Sequence, residues 1–236
     1  MRCKRCGQEA AEAHKFCAEC GMLLRDPYRD ERVLLALEAQ RDGHHREARQ
    51  ELQRLLDGDP GHVLANHLLG TMLFHQGTLE LAIERYRRAL QESPDFLVCW
   101  YDLGVAWYHR GNMPEAIRAF ERCLEIDPNY NAAHYRLALA LFHAGNLDSA
   151  LEHFEHASSL TPEYLMARYH VGVIHERLGN RNAAASEFQR NLDEAVGEAS
   201  SLHHLAVIRR EEGNAAEAEH LLRRAKEIAS TRVGSR

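Results

Sequence analysis

The sequence lacks the features that mark several large classes of protein. No apolar run reaches the roughly 18 residues of a membrane-spanning helix, since even the stretch FLVCWYDLGVAWYH is interrupted by Asp102. The chain begins with MRCKRC rather than with the apolar region of a signal peptide, so we expect a cytoplasmic protein. Its formal net charge of −6 provides no overall positive field for nucleic acid or anionic lipid. A membrane partner is therefore not expected, and a nucleic acid partner is disfavoured.

The motifs of common enzyme families are also missing. The sequence contains no glycine-rich phosphate loop, no G-x-S-x-G nucleophile turn and no HExxH metal motif. Cys99 and Cys123 stand alone in helical patterns, where we expect buried and unreactive thiols. The acidic residues scatter over polar helix faces instead of converging on one point. The prediction is a protein without enzymatic activity and without catalytic residues.

Four of the six cysteines lie in the first 20 residues, in two pairs that each have two intervening residues. The members of these pairs are Cys3, Cys6, Cys17 and Cys20. Two residues between thiolates form a tight turn that directs both sulfurs to one ion, and the glycine after each pair favours this turn. Zn²⁺ suits four thiolates, and a segment with so few apolar residues needs the metal to fold. We predict one structural zinc ion, held by these four cysteines, in a domain of residues 1–26.

With Phe16 before the second pair, this segment resembles the zinc-ribbon family. Two other uses of the cysteines find less support in the sequence. A redox CxxC pair calls for a neighbouring βαβ pattern, which is missing, and a catalytic zinc needs an open coordination position. His14 is a possible substitute ligand. Basic residues of the segment could contact nucleic acid, but nearby glutamates offset their charge.

The rest of the chain repeats every 34 residues, counted from Arg29. The units are 29–62, 63–96, 97–130, 131–164, 165–198 and 199–232, followed by a tail, 233–236. Position 15 of every unit is glycine, namely Gly43, Gly77, Gly111, Gly145, Gly179 and Gly213. Position 20 is alanine in every unit, and position 32 is proline in the first four.

Each recurring position has a physical role. Apolar residues at helical spacing fill positions 1 to 14, and the glycine takes the left-handed conformation that ends this helix A. Asparagine or threonine at position 16, such as Asn112 or Thr78, is suited to cap a second helix B. The alanine lets the two helices approach closely, an aromatic residue at position 24 fills the space beside it, and proline ends helix B. The pattern predicts six helix pairs.

This pattern resembles the tetratricopeptide repeat, and units two to four match it best. The resemblance implies an all-α fold, a right-handed α-solenoid of six repeats that begins after the zinc ribbon. Glu219 and Lys226 replace apolar residues in the last unit, which predicts a solvent-facing end. At the front, Leu23 and Leu24 are placed to cover the first unit, so the ribbon is a candidate N-terminal cap.

Positions 2, 5, 6, 9, 12 and 13 of helix A share one face of that helix, opposite the core, and we call this the inner face. In tetratricopeptide repeats it lines the concave side. In units two to five it is aromatic, apolar and rich in histidine, which is typical of a surface that binds a protein or peptide. The predicted partner-binding residues are Leu64, His67, Thr71, Phe74, His75, Val98, Tyr101, Asp102, Val105, Tyr108, His109, Tyr135, Arg136, Leu139, Phe142, His143, Met166, Tyr169, His170 and Val173.

The composition of this face restricts the partner. Some repeats of this family bind the carboxylate of a peptide C-terminus through lysine and asparagine, but no lysine lies between Lys15 and Lys226. We expect a segment with apolar side chains, whose capture would be lost when Tyr101, Tyr135 and Phe142 are all replaced by alanine. Histidines of the face suggest weaker binding below about pH 6. Two other functions stay open: a regulator whose ribbon contacts nucleic acid or transcription machinery, and a zinc or thiol redox sensor.

Overall fold

A computed structural model describes residue 9 and residues 30–160, 165–193 and 198–233 of the chain. These residues form twelve α-helices and no β-strand, which confirms the predicted all-α class for this part of the chain. The four predicted zinc ligands, and the tail beyond Val233, lie outside the described residues. The chain divides into two compact units, Met1–Pro128 and Asn129–Arg236.

Each unit contains three helix pairs. The helices of the first unit are α1 Glu31–Arg41, α2 His45–Gly58, α3 Val63–His75, α4 Leu79–Glu92, α5 Leu97–His109 and α6 Met113–Ile126. The helices of the second unit are α7 Asn131–Ala144, α8 Leu147–Leu160, α9 Leu165–Arg177, α10 Arg181–Asp193, α11 Glu198–Glu211 and α12 Ala215–Val233. Every odd-numbered helix packs against the even-numbered helix that follows it, so odd-numbered helices are the A helices of the repeats. None of the described helices combines the length and the apolar character needed to cross a bilayer.

The turn inside each pair follows the predicted chemistry. Gly111 has φ +82°, and the six glycines at this position all have φ between +77° and +89°. The Gly111 N–H donates to the Tyr108 carbonyl, and the Asn112 N–H donates to the Trp107 carbonyl at 3.0 Å, which closes helix α5. The Asn112 side chain then accepts from the Glu115 N–H as the predicted cap of α6.

Thr78 departs from the predicted capping role. Its hydroxyl donates backwards to the Leu73 carbonyl at 2.9 Å, and its side chain makes no capping bond to helix α4. The last carbonyls of a helix lack partners within that helix, so the threonine hydroxyl satisfies one of them instead.

The core of a pair is formed where helix A crosses helix B. The alanines at position 20 and the rings at position 24, such as Ala116 and Phe120, are buried. A Cβ atom added to Gly104 would lie 2.6 Å from Phe120 Cε1, so the ring occupies the space a side chain would need. Gly70 and Gly172 hold the same position against Tyr86 and Phe188. Glycine on helix A therefore sets the close spacing of these pairs.

The residues at positions 21 and 28 of helix B differ between an interior repeat and the last repeat. Ile83 and Leu90 occupy them on α4 and are buried. Glu219 and Lys226 occupy them on α12 and are exposed to solvent. The charged residues therefore avoid the cost of burial at this end.

Candidate functional site

The inner face is carried by α3 and α5 in the first unit and by α7 and α9 in the second. Within each unit, its side chains contact one another from one repeat to the next, and the contacting residues are 35 positions apart. Position 5 of one repeat meets position 6 of the next. Position 12 of one repeat meets position 13 of the next. These two rows of contacts involve the predicted residues at positions 5, 6, 12 and 13.

The first row joins polar and aromatic groups. In the first unit, His67 Nε2 lies 2.8 Å from the Asp102 carboxylate, so the ring donates to a charged acceptor. In the second unit, the Tyr135 ring lies 6.2 Å from the His170 ring. The His170 ring also stacks on Phe154, with centroids 4.8 Å apart and planes 13° apart. Burial is the main cause that lowers the pKa of His170 to about 4, and His143 adds to it.

In the second row, the side chain at position 13 of one repeat lies against the aromatic ring at position 12 of the repeat before it. Phe74 meets His109 edge to face, with ring centroids 5.4 Å apart. In the second unit the Arg177 guanidinium lies 4.2 Å from the centre of the Phe142 ring, a cation–π contact. Phe142 is only 9% exposed as a result.

The two rows change the expected role of several residues. Leu64, His67 and Phe142 are buried, so they do not offer the open side chains that we expected of the inner face. His67 is enclosed by the rings of Phe96 and Tyr86 in addition to its bond to Asp102. Sequence periodicity gave the direction of these side chains, but it did not show that the neighbouring repeat covers them.

Other predicted residues keep accessible surface. Val98 on α5 is 45% exposed and Met166 on α9 is 48% exposed. The histidines at position 13, His75, His109 and His143, are exposed. The remaining predicted residues are half-buried, namely Thr71, Phe74, Tyr101, Asp102, Val105, Tyr108, Tyr135, Arg136, Leu139, Tyr169, His170 and Val173. Their assignment as partner-binding residues stays a prediction.

A three-residue network in the second unit was missed from the sequence. His204 Nδ1 lies 2.7 Å from the Glu176 carboxylate, and His204 Nε2 lies 3.1 Å from the Tyr169 hydroxyl. In a neutral ring, Nδ1–H donates to the carboxylate and Nε2 accepts from the hydroxyl. Burial raises the pKa of Tyr169, and Glu176 adds to the effect. The signal in the sequence is chemical complementarity between residues 35 apart, here Tyr169 and His204.

A second cluster in the same unit consists of histidines. His134 Nδ1 lies 3.0 Å from His153 Nδ1. The His134 ring stacks on the His156 ring, with ring centroids 3.9 Å apart. Burial lowers the pKa of His153 to about 4, with further contributions from His134 and His156. When both rings are neutral, one Nδ1–H donates to the other Nδ1. A proton on both Nδ1 atoms would instead place two N–H groups against each other and remove this hydrogen bond.

The cysteines of the helical region show no sign of reactivity. Cys99 and Cys123 are free and fully buried, as expected from their helical positions. Burial raises the pKa of both thiols, that of Cys123 to about 12. Across the described part of the chain, no three histidine, cysteine or acidic side chains are placed to hold a metal ion. The zinc prediction concerns cysteines outside that part.

Family comparisons agree with the repeat fold. Models described as tetratricopeptide repeat match residues 33–95, 98–130, 132–164 and 199–235, which is most of the chain. Comparison with curated proteins gives no significant match.

Solved structures resemble the fold at low sequence identity. MamA residues 41 to the end, from Desulfovibrio magneticus RS-1, has a TM-score of 0.67 at 18% identity, covering 72% of this chain and 96% of its own. YrrB, described as a TPR protein with an unusual peptide-binding site, has a TM-score of 0.65 at 20% identity, covering 75% and 91%. Pseudomonas aeruginosa PilF has a TM-score of 0.68 at 18% identity, covering 85% and 91%. Helix pairs, glycine turns and family matches together show that the chain belongs to the tetratricopeptide-repeat proteins.

Proposed function

We propose that this chain is a non-enzymatic interaction scaffold or adaptor that binds a segment of a partner protein on its inner face. Its membership of the tetratricopeptide-repeat family supports an interaction role. YrrB is described as having a peptide-binding site, but at 20% identity the likeness shows only a shared fold. The proposal therefore depends on the inner face of this chain.

The main support for binding on the inner face is an apolar and aromatic stripe along α5. Val98, Tyr101, Val105 and Tyr108 follow one another at intervals of three or four residues, so they share one side of the helix. Val98 is 45% exposed, and the other three are half-buried. Tyrosine contributes a large apolar area and a hydroxyl for hydrogen bonding, which suits a peptide site. We call these four residues the α5 stripe.

The chemistry of the stripe favours an apolar partner segment. The Asp102 carboxylate beside it already pairs with His67. No lysine stands on the described helices before Lys226, so a carboxylate clamp based on lysine is not available. The second unit offers a comparable set on its own inner face, with Met166 exposed and Tyr135, Leu139 and Val173 half-buried.

A selection experiment tests the α5 stripe. Peptides from a random displayed library that bind the wild-type chain should carry apolar side chains and should bind the Val98→Asp, Tyr108→Ala variant at least tenfold more weakly. A tenfold loss corresponds to about 1.4 kcal/mol, which is modest for two contact residues. Fluorescence polarisation of the selected peptides gives the affinities.

The matched control is Leu81→Asp on α4, because Leu81 is an exposed apolar residue away from the inner face, at 49% exposure. Selected peptides should bind this control as they bind the wild type. Equal affinity for the stripe variant and the wild type would exclude the α5 stripe as the site.

We also propose that Cys3, Cys6, Cys17 and Cys20 bind one structural zinc ion in the cytoplasm, and that this segment caps the first repeat. Leu34 and Leu35 on α1 are 43% and 46% exposed. Leu34 holds position 6, where His170 of a later repeat stacks on the helix pair before it. The cysteine segment comes directly before α1 in the sequence, so it is placed to cover these leucines.

Metal analysis tests the zinc site. We expect about one zinc per purified chain by mass spectrometry, and loss of that zinc in the Cys17→Ser, Cys20→Ser variant. After chelation, four thiols should react quickly with a thiol reagent, while buried Cys99 and Cys123 react slowly. Cys123→Ala serves as the control and should retain the metal. Full zinc content in the Cys17, Cys20 variant would contradict the assignment.

A further inference from the structure

A cleft on the first unit lies on the opposite side of α5 from the inner face. It is formed by α4, α5 and α6 and consists of two adjoining cavities of about 380 and 430 Å³, which share Arg87, Gln91 and Trp107. Trp100 also lines it. The sequence has two tryptophans, and both are in this cleft. We call it the Arg87 cleft.

Arginine side chains cover the tryptophan at its centre. The Arg87 guanidinium lies 5.1 Å from the centre of the Trp107 ring, and the Arg110 guanidinium lies 5.0 Å from it. Both distances allow cation–π attraction, which favours these positions of the two cations. Arg110 also bonds to Glu80 at 3.1 Å.

Arg87 differs from the other arginines of the cleft. Arg88 pairs with Glu84 at 2.5 Å, Arg118 pairs with Glu115, and Arg122 pairs with Glu125. Among the described residues, no carboxylate pairs with Arg87, although its side chain is exposed. Its N–H donors are therefore available for a charged acceptor in a planar, bidentate arrangement.

The charge of the cleft is opposite to that of the whole chain. Its lining includes five arginines and three glutamates, which gives a formal charge of +2, whereas the chain carries −6. The floor is apolar and includes Ile83, Leu90 and Leu103. A ligand that matches both properties has a carboxylate next to an apolar side chain.

We propose that the Arg87 cleft binds an acidic segment of a partner protein, with a glutamate or aspartate carboxylate on Arg87 and an adjacent apolar side chain on the floor. Protein is favoured over nucleic acid because glutamates on the rim would face the phosphates, and because four of the five arginines are already paired. The α5 stripe plays no part in this site, so the two surfaces can be tested separately.

Tryptophan fluorescence provides the measurement, because both tryptophans line the cleft. The probe is a short peptide in which glutamate alternates with leucine, titrated into the full-length protein. We expect a saturable change in emission, at least a tenfold weaker response to the same peptide with glutamine in place of glutamate, and weaker binding as salt is added. The absence of a saturable change would overturn the proposal.

Variants assign the contact. Arg87→Gln should weaken binding at least tenfold, Arg87→Lys should weaken it less, and Arg223→Gln on α12, an exposed arginine of the other unit, should have no effect. Thermal unfolding midpoints confirm that the variants are folded. Equal binding by Arg87→Gln and the wild type would overturn the proposal. Tighter binding of a single-stranded oligonucleotide than of the acidic peptide, lost in Arg87→Gln, would also overturn it and assign the cleft to nucleic acid.

Discussion

Replacing Gly104 with alanine is expected to lower the free energy of unfolding by about 1–2 kcal/mol. The new Cβ atom would lie 2.6, 2.8 and 2.9 Å from three atoms of the Phe120 ring, which is fully buried. Overpacking costs about 1–3 kcal/mol, and three contacts shorter than 3.0 Å place this substitution in the upper half of that range, at about 2–3 kcal/mol. The better helix propensity of alanine returns about 1 kcal/mol. Chemical and thermal unfolding midpoints, recorded on the same samples, measure the difference.

A double-mutant cycle separates the steric cause from other effects. Repeats with alanine at this position include Ala36 opposite Leu52, so a smaller partner should accommodate the methyl group. In a Phe120→Leu background, Gly104→Ala should therefore lower the free energy of unfolding by less than it does in the wild type. The double variant should be more stable than the sum of the two single effects predicts. Ala138 coexists with Phe154 in another repeat, which is why we expect a moderate cost and not loss of the fold.

The control for this cycle is Gly58→Ala at the end of α2, where an added Cβ meets no atom within 4 Å. It should leave the unfolding midpoint unchanged or raise it slightly. A Gly104→Ala variant as stable as the wild type would show that the contact between α5 and α6 is looser than the structure indicates.

Lowering the pH from 7 to 5 is expected to destabilise the unit Asn129–Arg236. His153 and His170 have pKa values lowered to about 4 in the folded chain, whereas an unfolded histidine titrates near 6.5. Below about pH 6.5 the unfolded state binds protons that the folded state does not. The stabilisation is therefore complete above pH 6.5 and is lost as the pH falls towards 4. Allowing for partial solvent screening, we expect a loss on the order of 2 kcal/mol at pH 5.

The surroundings of each histidine identify useful variants. His153 faces His134 and His156, and His170 faces His143 and stacks on Phe154. His170→Phe retains an aromatic ring for the stack but removes the titrating group. The free energy of unfolding of this variant should therefore change less between pH 7 and pH 5 than that of the wild type. Hydrogen exchange at pH 7 and pH 5 should locate the change in α7 to α10.

An exposed histidine of the same unit serves as the reference. His220→Gln on α12 should keep the full difference in stability between pH 7 and pH 5. A His170→Phe variant with an unchanged pH dependence would show that this ring does not contribute to acid sensitivity. His170 is therefore expected to affect the pH dependence of folding. For this residue, that replaces the expectation that inner-face histidines weaken partner binding below about pH 6.

The candidate site was only partly accessible to sequence reasoning. Helical periodicity placed Val98, Tyr101 and Tyr108 on one side of α5, because that direction depends on rotation per residue alone. The same reasoning treated Phe142 as an open contact residue, whereas Arg177 from the next repeat covers it. A triple alanine variant that includes Phe142 would therefore remove a buried ring, so variants limited to the α5 stripe test binding more directly.

Sequence alone determined the repeat length, the turns and the all-helical class of the part of this protein that the structure describes. Glycine at position 15 is needed for a positive φ, and alanine or glycine where helices cross is needed for close approach, so local chemistry is sufficient to read them. Tertiary structure decided which side chains remain open. Contacts between residues 35 apart, such as His67 with Asp102 and Tyr169 with His204, depend on how one repeat is positioned against the next. That placement also brought Arg87 beside Trp107, where no carboxylate of the described residues pairs with it, since side chains from three helices meet there.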